Sequence, residues 1–490
     1  MKPISKSRRN FLKKSASLGL LAPLSLSHAD SIPNLNKQVS HAKNLIFLVA
    51  DGMGRGTLSL TNDFSKRQYN KPLNWTQLLK NRGVYSALQD TASFDSFVTD
   101  SAAASSAWGS GVRVPNGRIN VDAQGRNLEP IFSKAKAKGK SLGLVTTTRV
   151  THATPAGFVA NAKSRHSEEA IAQQYLERGV DLILGGGARY FQGEHASLGA
   201  AYQDKGFSIA RNRAELETMK NHPKLLGLFA DSHLPYAIDR LNSKEYDQVP
   251  SLNTLLVTAL ERVRNNKNGF FLQVESGRID HAGHVNDTAA IIEEQLEFDR
   301  CIATALEFVR QSPDTLLIVT TDHGCGGCQL NGIGDRYVGS VQALDQIMRQ
   351  KVSYEFIEKE FRRLGGVDQS LFESLTGIRL KASDYALIRS MWENEYIPEK
   401  RGYQSGDEGA VNALTKAEIK KISTSRQYFA GTLSDYFQAS LFDLTGVSWT
   451  SHQHTSELVD LIACGPHAQA LPSFIHNNEL HAFVCEALQI

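Results

Sequence analysis

Carboxylate and imidazole side chains are concentrated in a few short segments of this chain. Asp280 and His284 stand four positions apart, so one helical turn or a tight loop would let both side chains face one ion. Asp322 and His323 are adjacent, and His454 comes late in the chain. Carboxylate oxygens and imidazole nitrogens are ligands that zinc accepts in proteins, so these segments predict a metal site. For any one of them, a His-rich surface loop is the alternative.

A serine that could act as a nucleophile stands at the start of an Ala- and Ser-rich stretch. Asp100 is a good helix N-cap, and the small residues after it favour a helix, so Ser101 is predicted at a helix N-terminus. The backbone N–H groups and the helix dipole at such a terminus attract anions such as phosphate. Because no G-x-S-x-G turn accompanies the serine, a metal ion is the expected source of its activation. A serine at this position is more often only part of a cap.

The sequence around these residues predicts the elements that must position them. Short apolar, β-branched runs alternate with helical stretches, which is typical of a mostly parallel sheet with crossover helices on both faces. We therefore predict an α/β fold. Strands are predicted at residues 44–50, 141–147, 180–184, 269–274, 315–320 and 458–463, and helices at 131–138 and 288–309.

Several residues of the types that bind metals directly follow the predicted strands. Asp51 follows the first strand, His152 and Thr154 the second, Glu275 the fourth and Asp322 the fifth. Ligand sites in open α/β sheets lie outside the carboxyl ends of the strands. One such residue is usually a turn residue or a helix cap, but four strands followed by metal-type residues predict one shared rim.

The pattern changes between about residues 330 and 450. Strand-like runs stop there, and charged, helix-forming stretches such as 354–364 and 383–395 replace them. We predict a largely helical insertion between the last two strands of the sheet, within a single domain over residues 30–490. Its role stays open between an added surface subdomain, a lid over the site and a dimer contact.

The N-terminal residues have the features of an export signal. Residues 7–14, SRRNFLKK, match a twin-arginine signal, an apolar stretch follows at 18–26, and residues 27–29, SHA, offer a cleavage site. The apolar stretch is too short for a membrane span, which needs about 20 apolar residues. We predict that residues 1–29 are a signal peptide and that the mature protein is periplasmic or secreted, without a membrane anchor.

The composition excludes several other classes of protein. With 41% hydrophobic and 21% charged residues among 490, the chain is globular rather than disordered. The net charge of +3 is spread along the chain, so no basic patch indicates a nucleic-acid-binding module. Five cysteines are odd in number and sparse, which excludes a disulfide scaffold. Cys325 and Cys328 could form a disulfide, half of a zinc site or two separate thiols, and we favour a structural pair or free thiols.

Six segments resemble the alkaline phosphatase family, in the order and rough spacing of that family. They are LVADGMG at 48–54, VTDSAAASSAW at 98–108, VTTTRVTHATPAGFVA at 145–160, VESGRIDHAGH at 274–284, VTTDHG at 319–324 and HTSELVDLIACGP at 454–466. Between about 330 and 450 no family motif is recognisable. The resemblance implies an alkaline phosphatase-like fold and hydrolysis of phosphate monoesters at alkaline pH. It leaves open a homodimer, which is common in the family.

The resemblance also implies two zinc ions and one magnesium ion, with ligands carried over position by position. It assigns one zinc to Asp280, His284 and His454, the second to Asp51, Asp322, His323 and Ser101, and the magnesium to Asp51, Thr154 and Glu275. Arg165, thirteen positions after His152, corresponds to the arginine that binds phosphate in animal-type members. His152 and His281 stand where some members carry Asp and Lys, and we expect them beside the magnesium site without ligating it.

The implied mechanism is a two-step displacement. Ser101 attacks phosphorus, the alcohol leaves, and the resulting phosphoserine is then hydrolysed. Asp and His suit zinc, whereas a set of hard oxygen ligands suits magnesium. The Arg165 guanidinium can pair with two phosphate oxygens. Cys325 departs from the family pattern, because some members have a histidine at this position.

Other functions remain as alternatives at this point. A phosphodiesterase of the same superfamily would share the sheet and the metal rim, although Ser101 together with Arg165 favours monoesters. A sulfatase would need a proline where Ala103 stands. A periplasmic metal- or phosphate-binding protein is disfavoured, because a metal store would not need Ser101 at a helix N-terminus and a phosphate binder would not need two zinc sites.

Overall fold

A ten-stranded sheet forms the centre of the described part of the molecule. The computed structural model describes residues 41–219, 222–395, 437 and 445–490. The strands of the sheet are β1 Asn44–Val49, β2 Val84–Gln89, β3 Ser141–Arg149, β4 Leu182–Gly186, β5 Ser208–Ala210, β6 Leu225–Leu228, β7 Phe270–Glu275, β8 Thr315–Thr320, β13 Val459–Cys464 and β14 Phe474–Ile475. Their order across the sheet is β14-β2-β13-β8-β1-β7-β3-β4-β6-β5. The run from β8 to β5 is parallel throughout, whereas β13 is antiparallel to both β8 and β2. The predicted α/β fold with a mostly parallel sheet is confirmed.

Two small two-stranded sheets lie outside the main sheet. β9 Gly324–Cys325 pairs with β12 His454–Thr455, and β10 Gln329–Leu330 pairs with β11 Val447–Ser448. The first pair links the end of the segment after β8 to the segment before β13. It therefore joins two of the predicted ligand segments.

Helices cover both faces of the sheet. They are Arg55–Tyr69, Asn74–Leu78, Ser101–Ser110, Ile131–Ala137, Ala153–Val159, Glu168–Glu177, Ala196–Asp204, Arg213–Thr218, Ala237–Asn242, Leu252–Val263, Arg278–His284, Thr288–Gln311, Gly339–Ile347, Tyr354–Leu364, Gln369–Thr376, Ala382–Glu395 and Glu479–Leu488. Successive residues of β1 enter two different cores, because Leu48 packs into one hydrophobic cluster and Phe47 and Val49 into the other. This two-sided burial explains why the predicted strands are apolar at consecutive positions.

The six predicted strands are present, with small shifts at their ends, but the sheet has four more. β5 and β14 have only three and two residues, too short for any periodicity to identify. β2, VYSALQ, is partly exposed and mixes polar with apolar residues. Because β14 follows β13 and pairs with β2, the prediction that the strand at 458–463 is the last of the sheet is wrong.

The described part of the predicted insertion is helical, and it has a hydrophobic cluster of its own around Ile357, Phe361 and Phe372. Residues 396–436 and 438–444 lie outside the described residues, as does the predicted signal peptide at 1–29. Among the described helices, none combines the length and the hydropathy that a membrane crossing requires.

Two buried carboxylates attach this helical region to the sheet domain. Asp287 accepts hydrogen bonds from the backbone N–H of Tyr354 at 2.6 Å and from Gln350 Nε2 at 2.9 Å. Asp239 accepts from the backbone N–H of Ser353 at 2.7 Å and from its hydroxyl at 2.6 Å. Each of the four carboxylate oxygens therefore has a donor.

Candidate active site

The order of the strands brings the predicted site residues to one edge of the sheet. β8, β1, β7 and β3 are consecutive neighbours, and their parallel alignment places all four carboxyl ends on the same side. Asp51 comes two residues after β1, Glu275 ends β7, and Asp322 comes two residues after β8. The segment after β3 begins a helix, Ala153–Val159, that carries Thr154. Side chains far apart in the sequence thus meet at one rim.

Ser101 is the first residue of the helix Ser101–Ser110, as the sequence predicts. Asp100 caps this helix, with Oδ1 accepting from the backbone N–H of Ala103 at 2.9 Å. The helix packs closely on the helix Ala153–Val159 because both lack bulk at the contact. A Cβ added to Gly109 would lie 1.8 Å from the carbonyl oxygen of Gly157. The close approach sets Ser101 beside the segment that carries Thr154.

The first ligand cluster combines Asp51, Asp322 and His323, whose donor atoms lie within 4.8 Å of one another. His323 Nε2 is 3.1 Å from Asp322 Oδ2 and 3.7 Å from Asp51 Oδ1. Ser101 Oγ lies 3.2 Å from the same imidazole nitrogen. All four side chains are buried, and Asp51 Oδ1 has no hydrogen-bond partner among the described residues. The geometry joins a candidate nucleophile to a convergent set of metal ligands.

The second cluster combines Asp280, His284 and His454. Asp280 and His284 lie one turn apart in the helix Arg278–His284, with Asp280 Oδ2 3.3 Å from His284 Nε2. The Nδ1 atoms of His284 and His454 contact the backbone carbonyls of His452 and Thr99, at 2.6 and 2.8 Å. A carbonyl accepts only from a protonated nitrogen, so the Nε2 lone pairs of both rings face each other at 3.0 Å. Two converging lone pairs beside a carboxylate are what a bound cation requires.

The third cluster contains Asp51, Glu275 and His152, again with one donor atom each within 4.8 Å. The Thr154 hydroxyl donates to Asp51 Oδ2 at 3.3 Å, so it belongs to the same cluster. Glu275 Oε1 is buried without a hydrogen-bond partner among the described residues. His152, which the sequence analysis expects beside this site, contributes its imidazole to the donor group itself.

Electrostatic repulsion in this rim is large because four carboxylates are buried together. Burial and then the neighbouring Asp322 and Asp280 raise the pKa of Asp51 well above its usual value. Burial raises the pKa of Glu275 to about 7. For His454, burial and the neighbouring His323 lower the pKa to about 3. The His454 imidazole is therefore neutral, as a metal ligand must be, and a bound cation would relieve the repulsion among the carboxylates.

Arg165 lies at the edge of this rim, with only 10% of its side chain exposed. Its Nη1 donates to Asp100 Oδ2 at 3.0 Å, and its Nη2 lies 3.1 Å from His152 Nε2. Asp100 therefore both caps the Ser101 helix and orients the arginine. The guanidinium is held near Ser101 through a shared carboxylate, in a position from which it could bind phosphate oxygens.

Comparison with known proteins identifies the family. A model of the family "Alkaline phosphatase" matches residues 42–490. The chain belongs to the alkaline phosphatase family. Members of this family are phosphoric monoester hydrolases that depend on metal ions, so the predicted family and the predicted class of enzyme are confirmed.

Similar alkaline phosphatases cover nearly the whole chain. The crystal structure of Thermus thermophilus alkaline phosphatase is 34% identical, covers 96% of each chain and has a TM-score of 0.79. A cold-active alkaline phosphatase from Shewanella sp. is 27% identical, covers 91% of this chain and 99% of that one, and has a TM-score of 0.74. Alkaline phosphatase 4 of Bacillus subtilis is 30% identical over 471 residues, or 94% of this chain and 92% of that protein.

The candidate site also contains residues that the sequence analysis does not identify. His233 packs against His281 and His152, with ring centroids 4.3 and 5.6 Å apart, and burial lowers its pKa well below the usual value. It follows a strand, β6, that the periodicity does not predict, so no local signal marks it. Cys325 and Cys328 are free thiols, as favoured, but Cys325 joins the donor group of Asp280.

Proposed function

We propose that this chain is an exported, metal-dependent alkaline phosphatase that hydrolyses phosphate monoesters through a phosphorylated Ser101. One observation carries the proposal: Ser101 Oγ, at a helix N-terminus, lies 3.2 Å from His323 within the buried ligand cluster of Asp51 and Asp322. A metal store has no use for a hydroxyl at that point, because Asp51, Asp322 and His323 already supply the ligands.

The donor set suits the ions that the resemblance implies. Three buried carboxylate oxygens of the rim have no hydrogen-bond partner among the described residues: Asp51 Oδ1, Glu275 Oε1 and Asp280 Oδ1. Buried carboxylates are normally hydrogen-bonded or paired with a cation. The two clusters that mix carboxylate with imidazole suit zinc, and the cluster of Asp51, Thr154 and Glu275 suits magnesium.

The ligand assignment follows the clusters. One zinc would be held by Asp280, His284 and His454, the second by Asp51, Asp322 and His323 with Ser101, and the magnesium by Asp51, Thr154 and Glu275. Asp51 would be shared between the second zinc and the magnesium. Bound there, the ions would act as Lewis acids that neutralise charge on the attacking and leaving oxygens and on the phosphoryl group. His152 and His281 would flank the magnesium, although His152 is close enough to be a nitrogen ligand.

The chain's own residues account for the positioning of the substrate. Ser101 Oγ gives up its proton to hydroxide at the alkaline working pH and forms the new bond to phosphorus as the bond to the alcohol oxygen breaks, and the departing alkoxide takes up a proton from water. The backbone N–H groups at the start of the helix Ser101–Ser110 are oriented towards an anion at this point. Arg165, fixed by Asp100, pairs with non-bridging phosphate oxygens. Water then cleaves the phosphoserine, and inorganic phosphate leaves.

Export and domain organisation complete the proposal. Residues 1–29 would direct the chain through the twin-arginine route to the periplasm or beyond, and residues 30–490 would form the enzyme domain with the helical insertion at about 330–450. A homodimer is part of this proposal because it is common in the family.

The test compares a chromogenic phosphate monoester with the matched diester at alkaline pH, before and after chelation. We expect monoester turnover that disappears with the chelator and returns with zinc plus magnesium. Ser101→Ala should remove nearly all of this turnover, whereas Ser106→Ala, on the same helix, is the matched control. Diester turnover that exceeds monoester turnover would favour the phosphodiesterase alternative. A fully metallated protein that hydrolyses neither substrate would contradict the proposal.

A further inference from the structure

Cys325 lies in the cluster of Asp280, His284 and His454, where the family resemblance provides no cysteine ligand. One donor atom from each of these four residues lies within 4.8 Å of the others. Cys325 is 1% exposed, so its sulfur has no access to bulk solvent. The cluster therefore offers one oxygen, two nitrogens and one sulfur to a single point.

Local structure fixes the thiol in this place from two sides. Cys325 is directly opposite His454 in the antiparallel pair β9–β12, and opposite residues of such a pair present their side chains on the same face. On the other side is Gly283, in the helix that carries Asp280 and His284. A Cβ at Gly283 would lie only 2.9 Å from Cys325 Cβ and 3.0 Å from its Sγ. Because Gly283 has no side chain, the thiol can approach the helix. The two contacts together fix the position of the thiol beside Asp280 and His284.

A second observation indicates that the cluster holds a cation. Asp280 Oδ1 is buried and has no hydrogen-bond partner among the described residues. The Nε2 lone pairs of His284 and His454 converge beside it, since the Nδ1 atom of each ring contacts a backbone carbonyl. Three donors are thus oriented to one point, and the Cys325 sulfur is the fourth donor there.

We propose that Cys325 is a ligand of the zinc ion held by Asp280, His284 and His454. This inference rests on the proposed function, because it concerns the same metal. A thiolate is a soft ligand, so it selects zinc over the hard ion magnesium at this cluster. Four protein ligands hold a zinc ion more firmly than three, and a catalytic zinc can still accept a substrate oxygen by expanding to five ligands. The thiolate ties the metal to β9 and slows its release.

The first test uses cobalt in place of zinc in the wild-type protein. Thiolate coordination to Co²⁺ produces a sulfur-to-metal charge-transfer band in the near ultraviolet, which oxygen and nitrogen ligands do not produce. We expect this band in the wild type and in Cys328→Ser, and its loss in Cys325→Ser. Cys328 is the matched control because it is a buried thiol of the same turn outside the donor group. A cobalt-loaded wild type without the band would overturn the inference, whether or not the variants fold.

The second test measures the rate at which zinc passes to a chromogenic chelator. Loss of even an outer-shell partner of a metal ligand typically lowers metal affinity by about 10- to 100-fold, so we expect loss of a direct ligand in Cys325→Ser to release zinc at least about tenfold faster than in Cys328→Ser. Equal release rates would contradict the role of Cys325. If the wild type hydrolyses monoesters with zinc but lacks the cobalt band, the inference fails and the proposed function stands. If the wild type binds neither metal, both fail.

Discussion

Buried carboxylates occur in two regions of this molecule, and their surroundings differ. At the rim of the sheet, Asp51, Glu275 and Asp280 each keep a buried oxygen without a hydrogen-bond partner among the described residues. At the junction with the helical region, Asp239 and Asp287 have a donor for every oxygen. Burial alone is the same in both places. The carboxylate oxygens without a hydrogen-bond donor distinguish the two regions. They indicate carboxylates arranged to bind a cation, whereas the satisfied carboxylates hold two parts of the fold together.

The comparison predicts opposite consequences for loss of charge at the two regions. At the rim, a neutral substitute relieves repulsion among acidic groups in the metal-free protein but removes a proposed metal ligand. At the junction, loss of the acceptor leaves backbone donors without partners. Activity and stability should therefore respond separately, and four variants examine this separation.

The largest effect is expected for Asp51→Asn, because Asp51 belongs to two ligand clusters. We expect kcat/KM to fall by at least about a thousandfold, since metal-based charge stabilisation is worth several kcal/mol. The metal-free variant should unfold at the same temperature as the metal-free wild type or higher, because one buried charge is removed. Steady-state kinetics measures the first effect, and thermal unfolding of the metal-free proteins measures the second. If metal-free Asp51→Asn were much less stable than the metal-free wild type, the distinction between the rim and the junction would be wrong.

Asp100→Ala examines a carboxylate that is at the rim but has its acceptors satisfied. Asp100 caps the Ser101 helix, and its Oδ2 accepts from the backbone N–H of Gly117 and from Arg165, at 2.9 and 3.0 Å. We expect kcat/KM to fall by about 10- to 100-fold through misplacement of Arg165, with zinc content unchanged. The lost cap should cost about 1 kcal/mol of stability. Loss of zinc from this variant would show that satisfied and unsatisfied rim carboxylates do not differ as described.

Asp239→Ala examines the junction. The substitution leaves the buried N–H of Ser353 and its hydroxyl without their acceptor. An unsatisfied buried donor costs about 1–3 kcal/mol, so the free energy of unfolding should fall by roughly that amount or more. Activity per folded molecule should stay near that of the wild type. Urea unfolding measures the stability, and activity divided by the titrated number of active sites measures the activity per folded molecule. A loss of activity at unchanged stability would contradict the structural role of Asp239.

The pH dependence of stability gives a second test of Asp239 at the junction. Burial raises the pKa of Asp239 to about 7, while its Ser353 hydrogen bonds oppose the shift. In the unfolded chain the pKa is about 3.9. Between about pH 4 and pH 7 the folded state keeps a proton that the unfolded state has lost, so this contribution to stability is complete below pH 4 and disappears as pH rises through about 7.

The asparagine side chain in Asp239→Asn cannot ionise, so this variant lacks the pH dependence of stability that Asp239 causes. The free energy of unfolding of the wild type, relative to that of the variant, should fall by on the order of 2–4 kcal/mol from about pH 4 to pH 7.5. Urea titrations of both proteins across this range measure the difference. Parallel pH profiles would mean that Asp239 is already ionised in the folded protein at low pH.

The sequence predicts the rim far better than the junction. Asp51, Glu275 and Asp322 can be located because each adjoins a strand whose apolar run is visible, and adjacent parallel strands must share an edge. The family motifs then group the histidines with these carboxylates. Nothing local marks Asp239, because its partner Ser353 lies 114 positions away and only the packed fold joins them.

Cys325 shows the same limit within the site itself. Its position after Asp322-His323-Gly324 is visible in the sequence, but its approach to Asp280 depends on Gly283 and on the β9–β12 register. Both are tertiary contacts. The short strands β5 and β14 cannot be predicted for a simpler reason: two or three residues are too few to show the alternation of a strand.

The central claim is that Ser101 carries the phosphoryl group during turnover, and trapping that species tests it most directly. The wild-type enzyme is mixed with a phosphate monoester, quenched in acid within the first turnovers, digested and analysed by fragment mass spectrometry. The account predicts one added phosphoryl group on Ser101, neither on Ser105 nor on Ser106 of the same peptide, and none in Ser101→Ala. Steady monoester turnover with no phosphoryl group on Ser101 under these conditions, or with the group on another residue, would contradict it.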